Sequence, residues 1–468
     1  MDLQDETQNL KWNPKQGKGR KMKADARKAP EFLANSVVYQ LFPRPFTTEG
    51  TLKGAEKMLP HLAGLGIDIV YLTPIVEADD DTNPEFWSPR QKASGLGNPK
   101  NPYRMKDYFK IDPEYGNDAD LKHFVKAAHE FGLRVMLDLV YLHCGPKANL
   151  IEEHPDFVMR DENGNVKNGP WLFPALNFDN PNLREYLWGN MEYFIREFDI
   201  DGYRCDVASA LPVDFWEEGR RRIEALKPDV IMLSEGERPD DQLHAFDFNY
   251  AFKCAYALQD VFLKGDSPRK LMDAWKKLFD AFPSGGRFIH YFESHDIVSD
   301  NGENRMEKLL GPDAVEAALA VIFALDGIPF LYNGQEIADE TRHSIWGNRF
   351  YGKTFHINWE NALTPVGQKR LDLVRELIDL RHSEEILTEG SLEWLESDRL
   401  IAFTRTLGDR TLLIAVNPSP KNTEEEFPLA AARVTGPEFL LERGAHLLQK
   451  DQQSKISLLP YGFFIAEI

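Results

Sequence analysis

The sequence predicts an α/β fold, a (β/α)8 TIM barrel with an excursion after its third strand and a C-terminal antiparallel β-sandwich domain. Three observations predict it. Eight short β-branched or aromatic runs between Ser36 and Tyr332 alternate with segments of helical spacing, polar and acidic residues recur at the ends of those runs, and beyond Glu384 the chain turns to short alternating segments separated by turn residues. A doubly wound open sheet would show much the same local alternation, so both closures of the pattern stay open at this level.

The elements follow in order. A polar arm, residues 1–35, holds the one basic run, Lys15 to Lys28, and reads as a solvated tail. Ser36–Phe42 is β-branched and aromatic and stops at Pro43, as a buried strand does. Ala55, Met58, Leu59, Leu62 and Leu65 give Thr51–Gly66 a helical spacing, and Ile67–Leu72 follows as the second strand of a parallel unit. A long loop with Trp87, Pro89, Gly95 and Gly97 then runs to Asn101–Tyr103, and loops of that length in compact domains are usually functional.

The helix Asp118–Glu130 leads into the strand Arg134–Val140, residues 142–180 form the Gly-, Pro- and Asn-rich excursion, and the helix Asn182–Phe198 returns the chain to a strand ending at Asp206. Next come helix Val213–Ala225, strand Val230–Leu233, a short strand near Ala245–Asp247, helix Pro268–Phe279, strand Phe288–Phe292, helix Ala314–Leu325 and strand Ile328–Tyr332. A last helix begins at Thr364–Pro365. The catalytic barrel is thus expected over 36–141 and 181–383, and the β domain over 384–468, with strands at Leu400–Thr404 and Thr411–Val416.

Composition narrows the function. A net charge of −20 disfavours polyanions, so nucleic acid is not an expected partner. Cys144, Cys205 and Cys254 have no metal-ligand spacing and cannot all pair, which excludes a disulfide framework, and Cys205 reads as inert core. Met1–Asp5 is acidic and no run is long enough for a membrane span, so the chain reads as cytoplasmic, with no membrane partner and a monomer favoured.

In parallel barrels chemistry sits at the C-terminal ends of the strands, and those ends carry Asp138 with His143, Arg204 with Asp206, Glu235, and His295 with Asp296. Strand alternation puts Arg204 and Asp206 on one face, where the guanidinium is expected to keep Asp206 ionised, as a nucleophile needs to be. Glu235 has no cation beside it in sequence and an apolar strand behind it, which suits a carboxyl with a raised pKa; Glu237 competes for that role one pair further into the loop. Two carboxyl groups, one ionised and one protonated, are what hydrolysis of a glycosidic bond requires. The plainer alternative is a structural ion pair.

These stretches resemble the α-amylase family, glycoside hydrolase family 13. Asp138 to His143, Asp201 to Asp206, Leu233 to Glu235 and Phe292 to Asp296 are similar in order and spacing to its four conserved segments, and Gly66 to Pro74 and Gly327 to Glu336 to two more. The resemblance implies that Asp206 is the nucleophile, Glu235 the general acid/base and Asp296 a third carboxylate binding sugar hydroxyls. It also implies that Arg204 and Asp138 hold the nucleophile's surroundings, that His143 and His295 bind hydroxyls of the same sugar, and that Tyr103 stacks beneath it. The expected activity is retaining hydrolysis of α-glucans or malto-oligosaccharides, with no cofactor.

Departures from the family pattern refine this. Leu142 stands where many members have a calcium-binding asparagine, so that site is expected to be absent. Ser294 replaces the asparagine usual beside His295, and Ser209 and Ala210 replace the Lys-His pair of many endo-acting amylases. Asp206–Ala208 and Phe173–Asn177 look more like neopullulanase and cyclomaltodextrinase, though the extra N-terminal domain of those enzymes has no room before Ser36. A transglycosylase or isomerase on α-glucan, sucrose or trehalose, and a silent glycan- or protein-binding relative, are the alternatives. Trp87 and Trp171 are open between sugar contact and ordinary packing.

Overall fold

The computed structural model describes residues 24–352, 354–427, 438–450 and 453–468. Eight parallel strands close into a barrel: β1 (Val38–Leu41), β2 (Ile69–Leu72), β3 (Arg134–Leu139), β4 (Gly202–Cys205), β5 (Ile231–Ser234), β6 (Phe248–Tyr250), β7 (Phe288–His290) and β8 (Ile328–Tyr332), with β8 pairing back onto β1. Closure decides against the open sheet and leaves no unpaired edge. Residues on both faces of the strands are buried, inside against the barrel interior and outside against the helices, which is why the strands read as continuous apolar runs.

Register places the chemistry. Asp138 on β3 lies opposite Arg204 on β4, and Arg204 lies opposite Leu233 on β5, one residue before the end of that strand. Three consecutive strands therefore deliver their last polar side chains to one point on the rim.

Two elements differ from expectation. The first helix is broken into Leu52–Glu56 and Leu59–Leu65, because Pro60 sits in the first turn of the second piece and cannot continue the first. The sixth strand is Phe248–Tyr250, not Ala245–Asp247. Phe246 and Phe248 are both fully buried, so hydrophobicity does not separate the two registers, whereas Asp247 does: its Oδ2 accepts the Met232 N–H at 2.8 Å and a guanidinium N–H of Arg220 at 2.6 Å, fixing it before the strand begins. The shift also makes room for a helix the sequence reading passed over, Phe252–Lys264, whose Cys254, Leu258, Val261 and Phe262 are buried.

The arm is not wholly a solvated tail. Residues 1–23 lie outside the described part of the chain, but Asp25 bridges Ser284, and Arg27 reaches Asp247 and Glu224 with its side chain largely covered. The excursion after β3 holds a short helix, Asn149–Glu153, and a set of antiparallel bridges, among them His143 to Ala175 and Val158 to Leu176.

Beyond the helix Pro365–Ser383, strands β9 (Ser391–Trp394), β10 (Ile401–Leu407), β11 (Arg410–Val416), β12 (Thr423–Phe427), β13 (Glu438–Lys450) and β14 (Gln453–Glu467) form the expected separate antiparallel sheet, in the order β12-β14-β11-β10-β9 with β13 on the other edge of β14. Alternation along β10 and β11 sorts the side chains: Ile401, Phe403, Leu412 and Ile414 join the main core, while Ala402, Leu413 and Ala415 make a second cluster on the opposite face. The buried Arg405 ties the sheet to the barrel by donating to the Ala324 carbonyl at 3.0 Å and the Gly390 carbonyl at 2.8 Å.

At Gly202, the first residue of β4, a Cβ would press into the backbone carbonyl of Ile231 on β5, which cannot move without breaking the sheet. We predict that Gly202→Ala lowers unfolding free energy by about 3 kcal/mol or more in denaturant titration, with an unaltered midpoint refuting the argument.

Candidate active site

Arg204 is completely buried and stands at the centre of the strand ends. Its Nη1 donates to Asp138 Oδ1 at 2.8 Å and to Asp206 Oδ1 at 2.7 Å, and its Nη2 lies 2.5 Å from Glu235 Oε1. Asp138 is locked from the other side, where its Oδ2 accepts the hydroxyls of Tyr71 at 2.5 Å and Tyr103 at 2.9 Å. Glu235 Oε2 accepts the Val207 N–H at 2.6 Å. Val207 itself has φ 43°, a left-handed conformation costly for a β-branched residue, and it turns the chain sharply just after Asp206.

A cleft of about 500 Å³ opens above this cluster, lined among others by Asp206, Glu235, Asp296, Tyr103, His143 and His295. Six of the eight expected site residues therefore face one cleft. Asp138 and Arg204 do not line it; their side chains are wholly buried beneath, with Asp138 bonded to both Tyr103 and Arg204. Of the two open tryptophans, Trp171 lines the cleft against His143, whereas Trp87 turns away and donates its indole N–H to the Asp81 carbonyl at 3.2 Å. Glu237 also lines the cleft but is engaged by Lys253, which donates its backbone N–H at 2.9 Å and its ammonium at 2.6 Å.

Two histidines are held neutral, each with a defined tautomer. Gln40 accepts the backbone N–H of His295 through Oε1, which orients its amide so that Nε2 donates to His295 Nδ1 at 2.8 Å. The His295 proton is thus on Nε2, 3.2 Å from Asp296 Oδ2. Burial lowers the His295 pKa against the opposing pull of Asp296. His143 is pushed down to about 4 by burial; its Nε2 bonds the Tyr103 carbonyl at 2.8 Å, leaving the buried Nδ1 without a protein partner. Tyr103 packs parallel to His295 with centroids 5.1 Å apart, which occupies one face of the ring expected beneath a sugar.

The carboxyl groups divide by environment. Burial raises Asp206 first, Glu235 adds to it, and Arg204 opposes both without prevailing. Arg204 thus pulls Asp206 toward its carboxylate, while complete desolvation and a second acid pull the other way. Burial likewise raises Glu235 against Arg204. The two buried acids retain a proton between them to higher pH than either would alone. Asp296 goes the other way, since His295, Arg90 and Arg204 overcome its burial and hold it below the usual carboxylate range. Arg90, which the sequence reading did not single out, reaches Asp296 Oδ1 at 3.1 Å from a loop more than two hundred residues away, and no sequence motif signals that contact.

At Leu142, where many members of the resembling family carry the calcium-binding asparagine, only the main-chain carbonyl is present, and it accepts the Leu176 N–H at 3.3 Å. The side chain supplies no oxygen, so the donor set calcium needs is not met there.

A closed parallel barrel whose rim gathers four carboxyl groups, two neutral histidines and aromatic side chains around one cleft is that of a barrel enzyme suited to a neutral, hydroxyl-rich ligand. Comparison with known proteins gives the family. The α-amylase catalytic domain matches residues 16–164 and 170–376, and the chain belongs to that family of glycoside hydrolases. It is similar to a cyclomaltodextrinase of Geobacillus thermopakistaniensis, 28% identical over 95% of this chain and 78% of the relative, and to an intracellular maltogenic amylase of Bacillus subtilis, 29% identical over 84% and 70%. Among solved structures, the noncanonic maltogenic α-amylase AmyB of Thermotoga neapolitana superposes with a TM-score of 0.79 at 26% identity, covering 93% of this chain and 99% of that one. Among the described residues no helix is long and apolar enough to cross a membrane.

A carboxyl whose folded pKa is raised takes stability away once pH climbs past its unfolded value, because the unfolded chain releases that proton first. Glu235→Gln should therefore unfold at higher denaturant than wild type at pH 7. The advantage should vanish as pH falls to about 3, below the ordinary glutamate pKa of about 4.3. An equal or lower midpoint at pH 7 would contradict the raised pKa.

Proposed function

We propose that the protein is a retaining α-glycoside hydrolase acting on malto-oligosaccharides or related α-glucans, with Asp206 as nucleophile and Glu235 as general acid/base. The observation that carries the reading is the shared guanidinium: Asp206 and Glu235 both lie within bonding distance of Arg204. That supports a carboxyl separation nearer the roughly 5–5.5 Å of retaining enzymes than the wider gap that inverting enzymes need for a water. The names of the relatives, cyclomaltodextrinase and maltogenic amylase, support the substrate class.

The chemistry follows from the proton the pair retains. In the productive state it sits on Glu235, since Asp206 has the aligned 2.7 Å bond from Arg204 that favours its carboxylate. Asp206 attacks the anomeric carbon while Glu235 gives its proton to the departing glycosidic oxygen; Glu235, now ionised, takes a proton from water as that water displaces Asp206. Two inversions return the α configuration. Asp296 and the free Nδ1 of His143 accept hydroxyl protons of the sugar held between them.

Asp206→Asn and Glu235→Gln should each reduce hydrolysis of maltotetraose by roughly 10³-fold or more. A proton NMR time course on the wild type should show the α-anomer of the product before mutarotation. First appearance of the β-anomer, or full activity in Asp206→Asn, would overturn the mechanism.

A further inference from the structure

Contacts between loops far apart in sequence build one part of the cleft wall, which Arg90, Ile345 and Trp346 line. The loop after β2 and the loop after β8 meet in an apolar plug of Leu96, Ile345 and Trp346 with Phe42, against which Tyr103 packs. Polar bonds stitch the same seam. Gln91 donates to the Asn98 carbonyl at 2.9 Å, Asn98 donates to the Trp346 carbonyl at 2.8 Å, and Arg44 donates to the Ile345 carbonyl. Beneath the loop, the fully buried Arg104 donates to the carbonyls of Asp81 at 2.9 Å, Pro99 at 3.0 Å and Phe86 at 3.2 Å, so the loop is pinned along its length.

Arg90 completes the wall. From the loop after β2 it crosses to the helix His295–Asp300 that follows β7, with Nη1 on Asp296 Oδ1 at 3.1 Å and Nη2 on Asp300. Both oxygens of Asp296 are thereby held by the protein, Oδ1 by Arg90 and Oδ2 by His295, although 28% of the side chain is still exposed toward the cleft.

Which sugar meets this wall follows from the chemistry, and here the inference rests on the proposed function. On that reading the leaving group lies beyond Glu235, and the sugar that bonds to Asp206 meets Tyr103, which packs against the plug, and Asp296, which the clasp holds. We propose that Arg90, with the plug behind it, makes this a blind, glycone-end pocket, so that the enzyme takes linear chains by their non-reducing ends and rejects both rings and end-blocked chains. Arg90 is the specificity-determining residue: it is the part of the wall made by a single side chain, and its loss would leave a gap between the loops after β2 and β7.

The test compares initial rates on maltohexaose, on maltohexaose blocked at the non-reducing 4,6-hydroxyls, and on β-cyclodextrin, for wild type, Arg90→Ala and Asp300→Ala. The wild type should cleave the free-ended chain roughly 100-fold faster, in kcat/KM, than the blocked chain or the ring. Arg90→Ala should narrow that ratio by about tenfold, and Asp300→Ala, which removes half of the clasp and leaves Asp296 untouched, should narrow it less. Wild-type cleavage of the blocked chain or the ring at rates comparable to the free chain overturns the blind pocket while leaving the hydrolase reading intact. Failure of the wild type to cleave the free-ended chain overturns the hydrolase reading and the pocket's role with it.

Discussion

A single buried guanidinium governs the active rim. Arg204 has no route to solvent, and a buried cation without partners costs several kcal/mol, so the acids around it are a condition of folding as much as of chemistry. Asp138 meets that condition from the neighbouring strand and Asp206 from two residues on, with Glu235 across β5. Each partner is then fixed by something else: Asp138 by two tyrosine hydroxyls, Glu235 by the Val207 N–H, and Asp206 by the strained turn that Val207 begins. The close β4–β5 approach at Gly202 lets these groups converge.

The same device recurs around the mouth of the cleft. Arg44 pairs with Glu114 at 2.7 Å, Arg305 with Glu293 at 2.7 Å and Asp339 at 3.0 Å, and Arg104 holds its loop through carbonyls and Asp79, all of these arginines being buried. Isolated buried ion pairs contribute little net stability, because desolvation offsets the attraction. What five planar donors contribute is geometry: one arginine can satisfy several carbonyls and a carboxylate at once and so fix a loop that has no secondary structure of its own. Loops at a barrel mouth choose the substrate, and here buried arginines bond them in place.

Legibility in the sequence divides along that line. The barrel and its acids could be read because strand ends put chemistry where a short motif finds it; Arg204 and Asp206 are two residues apart, and the strand period alone sets them on one face. The sixth strand lies three residues further on than expected because Phe246 and Phe248 are equally buried, and only a long-range bond to Asp247 distinguishes them. Tyr71, Gln40 and Arg90 escaped notice for the same reason. Their partners, Asp138, His295 and Asp296, lie 67, 255 and 206 residues away, and nothing local marks a tyrosine as a carboxylate's donor or an arginine as a clasp. The proton state of Asp206 escaped as well, since adjacency to Arg204 is visible in sequence while burial against a second acid is not.

That proton state reconciles an acidic site with a neutral ligand. Asp138, Asp206, Glu235 and Asp296 outnumber the cations facing them even when one proton is retained, because Arg90 is shared with Asp300. A resting sugar has little use for the surplus. The oxocarbenium-like transition state of glycosidic cleavage gathers positive charge at the anomeric carbon, and on the proposed mechanism the excess negative charge lowers the energy of that transition state more than that of the bound substrate. Folding bears the cost by keeping two carboxyl groups buried against their preference for water, and Arg204, being wholly buried itself, prevents either from relaxing outward. Destabilised acids and a trapped cation are thus one arrangement, in which the strain that burdens the fold is released as charge develops on the sugar.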